Sequence, residues 1–271
     1  MAARGPASRG SRTLEALEMV SPMLFSGRKY SAAGVPRRAS KHSVSSHAPP
    51  TAIPLSAPTT GTDATATATL NSDGTVQTSC IQPYPTILNQ LLDAEVLRRA
   101  FPRHSFWGME PLFSGAEEPV PVEVLSGACL MMKRTVFADV SRFSEEYFLY
   151  AEDLDLCYKV NAIGLKNYYV PAASIVHHGG GSSKPSQSTF SAVMMRESVY
   201  RFLRKVRGKW YSAGFRVSLG FGALGRLCVL VVLFPVNLLR GNVQGASDSF
   251  RKWAAILKWS VGFQTQIANY S

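Results

Sequence analysis

Charge divides this chain into three unlike blocks, and that division constrains its folding more than any single motif. Residues 1–70 carry eight Lys/Arg against three Asp/Glu, residues 71–195 nine against thirteen, and residues 196–271 twelve against two. The net charge of +11 therefore belongs to the two ends, while the middle is acidic. Strong positive charge suggests an anionic partner: nucleic acid, a membrane surface or a phosphorylated substrate. A length of 271 residues sets a prior of one domain plus extensions. With 46% hydrophobic residues a core is attainable, which excludes a wholly disordered chain. Four scattered cysteines, Cys80, Cys129, Cys157 and Cys228, exclude a disulfide scaffold and read as free thiols in a reducing compartment.

The first block, residues 1–69, reads as a disordered, low-complexity leader. Residues 45–50 and the Thr/Ala tract at 60–67 are compositionally biased, and such segments cannot bury enough apolar surface to offset the entropy of ordering them. An Arg/Ser/Ala-rich, acid-poor start also fits an organelle transit peptide, and a misassigned reading frame is a further alternative. No apolar run follows the early arginines, so the pattern is not secretory.

The acidic middle holds the chemistry-bearing residues. Residues 71–74 signal a turn, and 75–80 a short strand. Residues 86–100 predict an amphipathic helix, with Ile87, Leu88, Leu91, Leu92, Val96 and Leu97 at helical spacing. Residues 122–132 form a nearly continuous apolar run of strand length, and 135–140 a short helix. Phe148 and Tyr150 then precede Glu152, Asp153 and Asp155, which open a helix ended by Gly164. Its predicted buried stripe is Leu154, Cys157, Val160 and Ile163, with Leu156 alongside. Carboxylates suit a first helical turn because of the helix dipole, so a plain charged N-terminus is one reading and an acid/base site the other. Residues 166–170 predict a strand ending at Pro171, and 174–176 another extended run. That run empties into His177, His178 and three glycines. Imidazoles leaving a strand into such a loop can approach a ligand closely, the alternative being a surface loop with incidental histidines. Asp153, Asp155 and His177 together form a candidate set for metal binding or acid/base work.

The ordered combination of motifs resembles the family 2 glycosyltransferases, especially their rhamnosyltransferase-like members. The run Ser126-Gly127-Ala128-Cys129-Leu130-Met131-Met132-Lys133-Arg134 carries the resemblance, followed by Phe148-Leu149-Tyr150-Ala151-Glu152-Asp153-Leu154-Asp155-Leu156-Cys157. It continues through Gly164, Tyr169-Val170-Pro171 and Val176-His177-His178-Gly179-Gly180-Gly181-Ser182, and covers roughly residues 70–262. The resemblance implies an α/β fold of the GT-A type, an α/β sandwich around a mostly parallel sheet. It also implies inverting transfer of a sugar from a nucleotide-sugar donor to the hydroxyl of a glycan or lipid-linked acceptor. On the matching positions Asp153 would be the general base, with Glu152 beside it and Asp155 shaping the site or holding acceptor hydroxyls. His177, or His178, would help hold a divalent metal (Mg2+ or Mn2+) or the diphosphate. Ser126, Gly127 and Ala128 would line the sugar pocket.

The family's opening nucleotide-binding half, with its DXD-type metal motif, has no recognisable counterpart before residue 70. The resemblance therefore reaches the acceptor side and the base, residues 70–195, as a partial GT-A domain. A smaller departure is Arg142-Phe143-Ser144-Glu145, where the family usually has Gly-Phe-Asp-Glu.

The basic tail, residues 196–271, interleaves arginines and lysines with Tyr200, Phe202, Trp210, Tyr211 and Phe215 before the mostly apolar residues 217–239. This pattern predicts a helical, membrane-associating extension, an in-plane or re-entrant anchor on the anionic cytoplasmic leaflet, with a buried core helix as the alternative. Nucleic acid is excluded as partner because the recognisable core is net negative. The expected function is glycosyl transfer at that membrane face. The alternative is a catalytically inactive, membrane-associated interaction module.

Overall fold

The computed structural model describes residues 17–20, 64–92, 95–177, 188–239 and 241–263. Strand β1 (Leu17–Val20) comes first, then β2 (Ala64–Leu70). Both fall inside the segment expected to be an unfolded leader, whose remainder, with the transit-peptide reading, lies outside the described residues. Strand β2 reads Ala-Thr-Ala-Thr-Ala-Thr-Leu. Ala64, Ala66 and Ala68 are buried, while the intervening β-branched threonines favour extended backbone. A period-2 pattern was thus hidden inside low-complexity composition, and the folded body begins earlier than residue 70.

Along the chain follow β3 (Ile81–Gln82), α1 (Ile87–Leu91), α2 (Glu95–Ala100), β4 (Val120–Val122), β5 (Val124–Leu125) and β6 (Leu130–Lys133). Then come α3 (Arg134–Asp139), α4 (Glu152–Ala162) and β7 (Asn167–Val176). The main sheet has the order β1-β6-β2-β7-β4, with β2 and β7 parallel and the other neighbours antiparallel. Strands β3 and β5 pair separately. A mixed sheet with helices packed against it is an α/β fold, as expected, but only the β2–β7 pairing is parallel, where the resemblance implied a mostly parallel sheet.

Local details differ from the sequence reading for identifiable reasons. Residues 75–80 contribute only a single bridge, Val76 to Leu70, because the turn at 71–75 folds the chain straight back and Cys80 N–H bonds Gln77 O. The predicted helix over 86–100 is two helices. The first is opened by a reciprocal cap in which Thr86 Oγ1 accepts from Asn89 N–H and Asn89 Oδ1 from Thr86 N–H. The apolar run 122–132 is three strands rather than one. Asn167 Nδ2 donates to Glu123 O at 2.8 Å where β4 hands over to β5, and a 3-10 turn, Gly127–Cys129, separates β5 from β6. Conversely, the two runs around Pro171 are one strand. Its register against β2 shifts between the Thr67–Val170 and Ala68–Ser174 pairs, so the excess residues, including a proline without N–H, bulge out. Ile163 is half exposed and leaves the buried stripe of α4 to Leu154, Leu156, Cys157 and Val160.

Four helices complete the described chain: α5 (Ser188–Arg207), α6 (Lys209–Val232), α7 (Phe234–Leu239) and α8 (Val243–Ser260). Helix α5 is not an appendage. Val199, Phe202 and Leu203 are buried in the same hydrophobic cluster as the sheet, and Phe202 contacts Tyr84 and Tyr158 of the α/β body. Some of the interleaved cations and aromatics turn inward. Arg216 stacks over Trp259 and Tyr200 and donates to Trp259 O, while Trp259 Nε1 donates to Glu197 at 3.0 Å. Arg196 is buried. Part of that basic, aromatic pattern is thus spent on packing α5, α6 and α8 together, while Arg204, Arg207, Lys209 and Trp210 stay exposed. Of the cysteines, Cys80, Cys129 and Cys157 are buried and Cys228 is exposed on α6.

Candidate functional site

The direction of three elements brings the expected residues to one end of the sheet. Helix α4 is joined to β7 by only residues 163–166, so the two run antiparallel and the acidic start of α4 is directed toward the C-terminal end of β7. Strand β6 runs antiparallel to β2 with Leu130 opposite Ala66, which puts the preceding turn, Gly127–Cys129, toward the C-terminal end of β2. His177 follows β7 directly, its N–H donating to Leu70 O at 2.9 Å. The carboxyl end of parallel strands is where open α/β sheets bind ligands.

Asp153 is the most constrained member of the set. Its Oδ2 accepts from Gly127 N–H at 2.9 Å and its Oδ1 from Leu154 N–H at 2.8 Å. Burial pushes its carboxyl above the usual range, and the two backbone donors offset this only in part. Ser126 caps the neighbouring turn, its Oγ accepting from Ala128 N–H at 3.3 Å, so Ser126, Gly127 and Ala128 present a short, narrow strip beside the carboxylate. Glu152 is pushed up to about 7, first by burial and then by the charge of Asp153. Its Oε2 is buried without a hydrogen-bond partner. Two non-glycine residues in left-handed conformation, Tyr150 (φ 66°) and Ala151 (φ 64°), turn the chain into the helix.

Asp155 faces elsewhere. Two positions along a helix is a rotation of roughly 200°, so Asp155 projects from the side opposite Asp153. There its fully buried carboxylate meets Lys205 at 2.9 Å, Lys159 at 3.3 Å and Ser144 Oγ at 2.6 Å. Burial would push Asp155 up, but the hydrogen bonds from Lys205 and Ser144 and the charges of Lys159 and Lys205 outweigh it and hold the carboxyl below its ordinary value. Geometry brings Asp153 together with Glu152 and the 126–128 strip, and gives Asp155 to the junction with α5.

His177 Nδ1 lies 3.1 Å from Gln77 Oε1, and His178 lies outside the described residues. Among the described residues no three His, Cys, Asp or Glu side chains converge. Sequence reasoning missed Gln77 and Lys205 and misjudged Ser144. Ser144 stood out as a missing acid and is instead a hydrogen-bond donor to Asp155. Lys205 was one cation in a basic run, with nothing local to single it out.

Over 99 residues the chain is 36% identical to an N-acetylglucosaminyl-diphospho-decaprenol L-rhamnosyltransferase of Mycobacterium tuberculosis, a stretch amounting to 36% of this chain and 32% of the relative. Over 88 residues it is 30% identical to rhamnosyltransferase WbbL of Escherichia coli K12, covering 32% of each chain. Both of these relatives are named as rhamnosyltransferases. No family model matches the chain. The chain spans about a third of the length of these curated relatives.

Proposed function

We infer that the acidic middle of the chain is the acceptor side of a GT-A glycosyltransferase site, with Asp153 as general base. The observation that carries this reading is the Asp153–Gly127 bond, which fixes a proton-seeking carboxylate beside a small-residue strip at the carboxyl end of the sheet. As the acceptor oxygen attacks the sugar's anomeric carbon, Asp153 takes the hydroxyl proton. The bond to the nucleoside diphosphate breaks, and its electron pair leaves with the diphosphate, inverting the configuration. A carboxylate raised by burial is a better proton acceptor than one in water, provided it is ionised. Glu152 is poised to hold a proton near neutrality, which spares Asp153 a second negative charge alongside. Ser126, Gly127 and Ala128 leave room for the sugar ring. Asp155 acts as a positioning residue by locking α4 onto α5, and Gln77 orients His177 toward the diphosphate side. The relatives' names support rhamnose as the sugar and, from the mycobacterial protein, a lipid-linked glycan as the acceptor.

The test is an assay of the full chain with nucleoside diphosphate-rhamnose and a lipid-linked N-acetylglucosamine acceptor, with and without Mg2+ or Mn2+. Turnover is expected, lost in Asp153→Asn with the far-UV circular dichroism unchanged. Failure to bind donor at millimolar concentration with either metal would overturn catalysis by this chain.

A further inference from the structure

Helix α6 divides at Arg226. Before it, Phe215, Leu219, Gly220 and Ala223 are buried against the neighbouring helices. Arg226 lies 4.4 Å from the Trp253 ring centre and donates to Leu91 O, at the C-terminal end of α1, at 3.0 Å. Beyond it no described side chain up to Leu239 is fully buried. Residues 229–239 contain no charged side chain. Yet Val231, Val232, Leu233, Phe234, Leu238 and Leu239 are exposed, Val232 at 75% and Leu239 at 89%. Helix α8 returns alongside, as the Arg226–Trp253 and Arg216–Trp259 contacts show, and carries Phe250, Arg251, Lys252 and Trp253 next to this tip. From residue 227 to 263 the chain holds Arg240, Arg251, Lys252 and Lys258 against Asp248 as its one acid.

We propose that the α6–α7 tip is a wedge that enters one leaflet of an anionic lipid bilayer, with the cations and Trp253 of α8 at headgroup level. Among the described residues α6 is the one helix long and apolar enough to cross a membrane. One face of its first half, Phe215, Leu219, Gly220 and Ala223, is committed to protein partners, while Val217, Phe221 and Leu224 stay exposed on the other. The helical part beyond Arg226, residues 227–232, where neither face carries a fully buried side chain, rises about 9 Å. That matches the ~5–10 Å penetration of interfacial elements and falls far short of a hydrocarbon core of about 30 Å. The occupant is lipid because the patch joins an uncharged apolar end to a rim with a surplus of cations, the arrangement that anionic headgroups above acyl chains complement. A protein partner or a second copy would have to match the apolar tip and that cationic rim at once, and this chain's acidic middle is a separate surface. The inference stands independently of glycosyl transfer.

Vesicle flotation of the full chain tests it, using phosphatidylglycerol/phosphatidylcholine vesicles and phosphatidylcholine alone. Binding to the anionic vesicles is expected. It should fall at least about tenfold in Val232→Glu/Leu239→Glu, whose exposed positions leave the fold intact, and in Arg251→Glu/Lys252→Glu. Trp fluorescence should shift to the blue only with the anionic vesicles. Unchanged vesicle binding in both double variants overturns the proposal. So does a dimer in sedimentation velocity that the tip variant dissolves while vesicle binding is absent. Loss of sugar transfer with vesicle binding retained would touch the catalytic reading alone.

Discussion

Asp155 and Lys205, 50 positions apart in sequence, meet at 2.9 Å where the acidic helix α4 docks on the basic helix α5. The bond joins two of the oppositely charged blocks, and it explains how an acidic middle and a basic tail form one body. Asp155→Asn leaves the ammoniums of Lys205 and Lys159 without their carboxylate. Because Lys205 is partly exposed, the expected cost is about 2–3 kcal/mol, below that of breaking a wholly buried pair. Urea melts would measure it. The folded-state value of Asp155 is depressed, so this stability is present above the ordinary carboxylate range and is lost as pH falls through the depressed value. The mutant's deficit should accordingly shrink in acid.

Glu152 predicts the opposite sign. Its folded-state value is raised from 4.5 to about 7, so the folded chain binds this proton more tightly and stability declines as pH rises through that window. Glu152→Gln removes the buried charge. It should stabilise by about 2–3 kcal/mol at pH 8 and by almost nothing at pH 4, read from the pH dependence of the urea midpoint.

Asp153→Asn should lower transfer by about 10²–10⁴-fold, the usual contribution of a general base, without lowering thermal stability at neutral pH. In the wild type, activity should rise from acid pH as Asp153 ionises, with an ascending limb above the ordinary aspartate range. Acceptor-saturated initial rates against pH measure both effects.

Arg142 occupies a left-handed conformation, φ 59°, the region that favours glycine. Its exposed side chain is not what the fold uses; its carbonyl is, as acceptor for the Lys159 ammonium. Arg142→Gly should stabilise by about 0.5–1 kcal/mol, the relief of the Cβ clash less the added freedom of the unfolded chain. Thermal melts at constant pH suffice.

Two substitutions in β2 should move stability in opposite directions. Ala66 is packed on the core face, so Ala66→Leu overpacks it at about 1–3 kcal/mol. Thr67 Oγ1 is buried without a hydrogen-bond partner, so Thr67→Val should gain about 0.5–1 kcal/mol. The same sign for both would contradict the observed register.

What could be read in advance was whatever local periodicity encodes. The acids of 152–155 opening a helix, its stripe of Leu154, Cys157 and Val160, and the turn at 71–74 all follow from spacing of 2 to 4 residues. The failures share one cause: their reasons lie far along the chain. The 122–132 run breaks because Asn167 and Asp153 hold Glu123 and Gly127, partners 44 and 26 positions away. Asp155 leaves the site because Lys205 reaches it. Ala64–Leu70 escaped notice because alanine and threonine look like linker until β7 supplies a ladder to pair with.

That pairing has a consequence for the order of assembly. Strands β2 and β7 are parallel partners separated by roughly a hundred positions, so the middle of the sheet can close only after most of the body has been made. On a ribosome adding ~5–20 residues per second, β2 waits about 5–20 s for its partner. A Val/Ile strand left waiting that long would invite pairing with other chains. One built from alternating alanine and threonine is apolar enough to settle into the core and mild enough to wait in water.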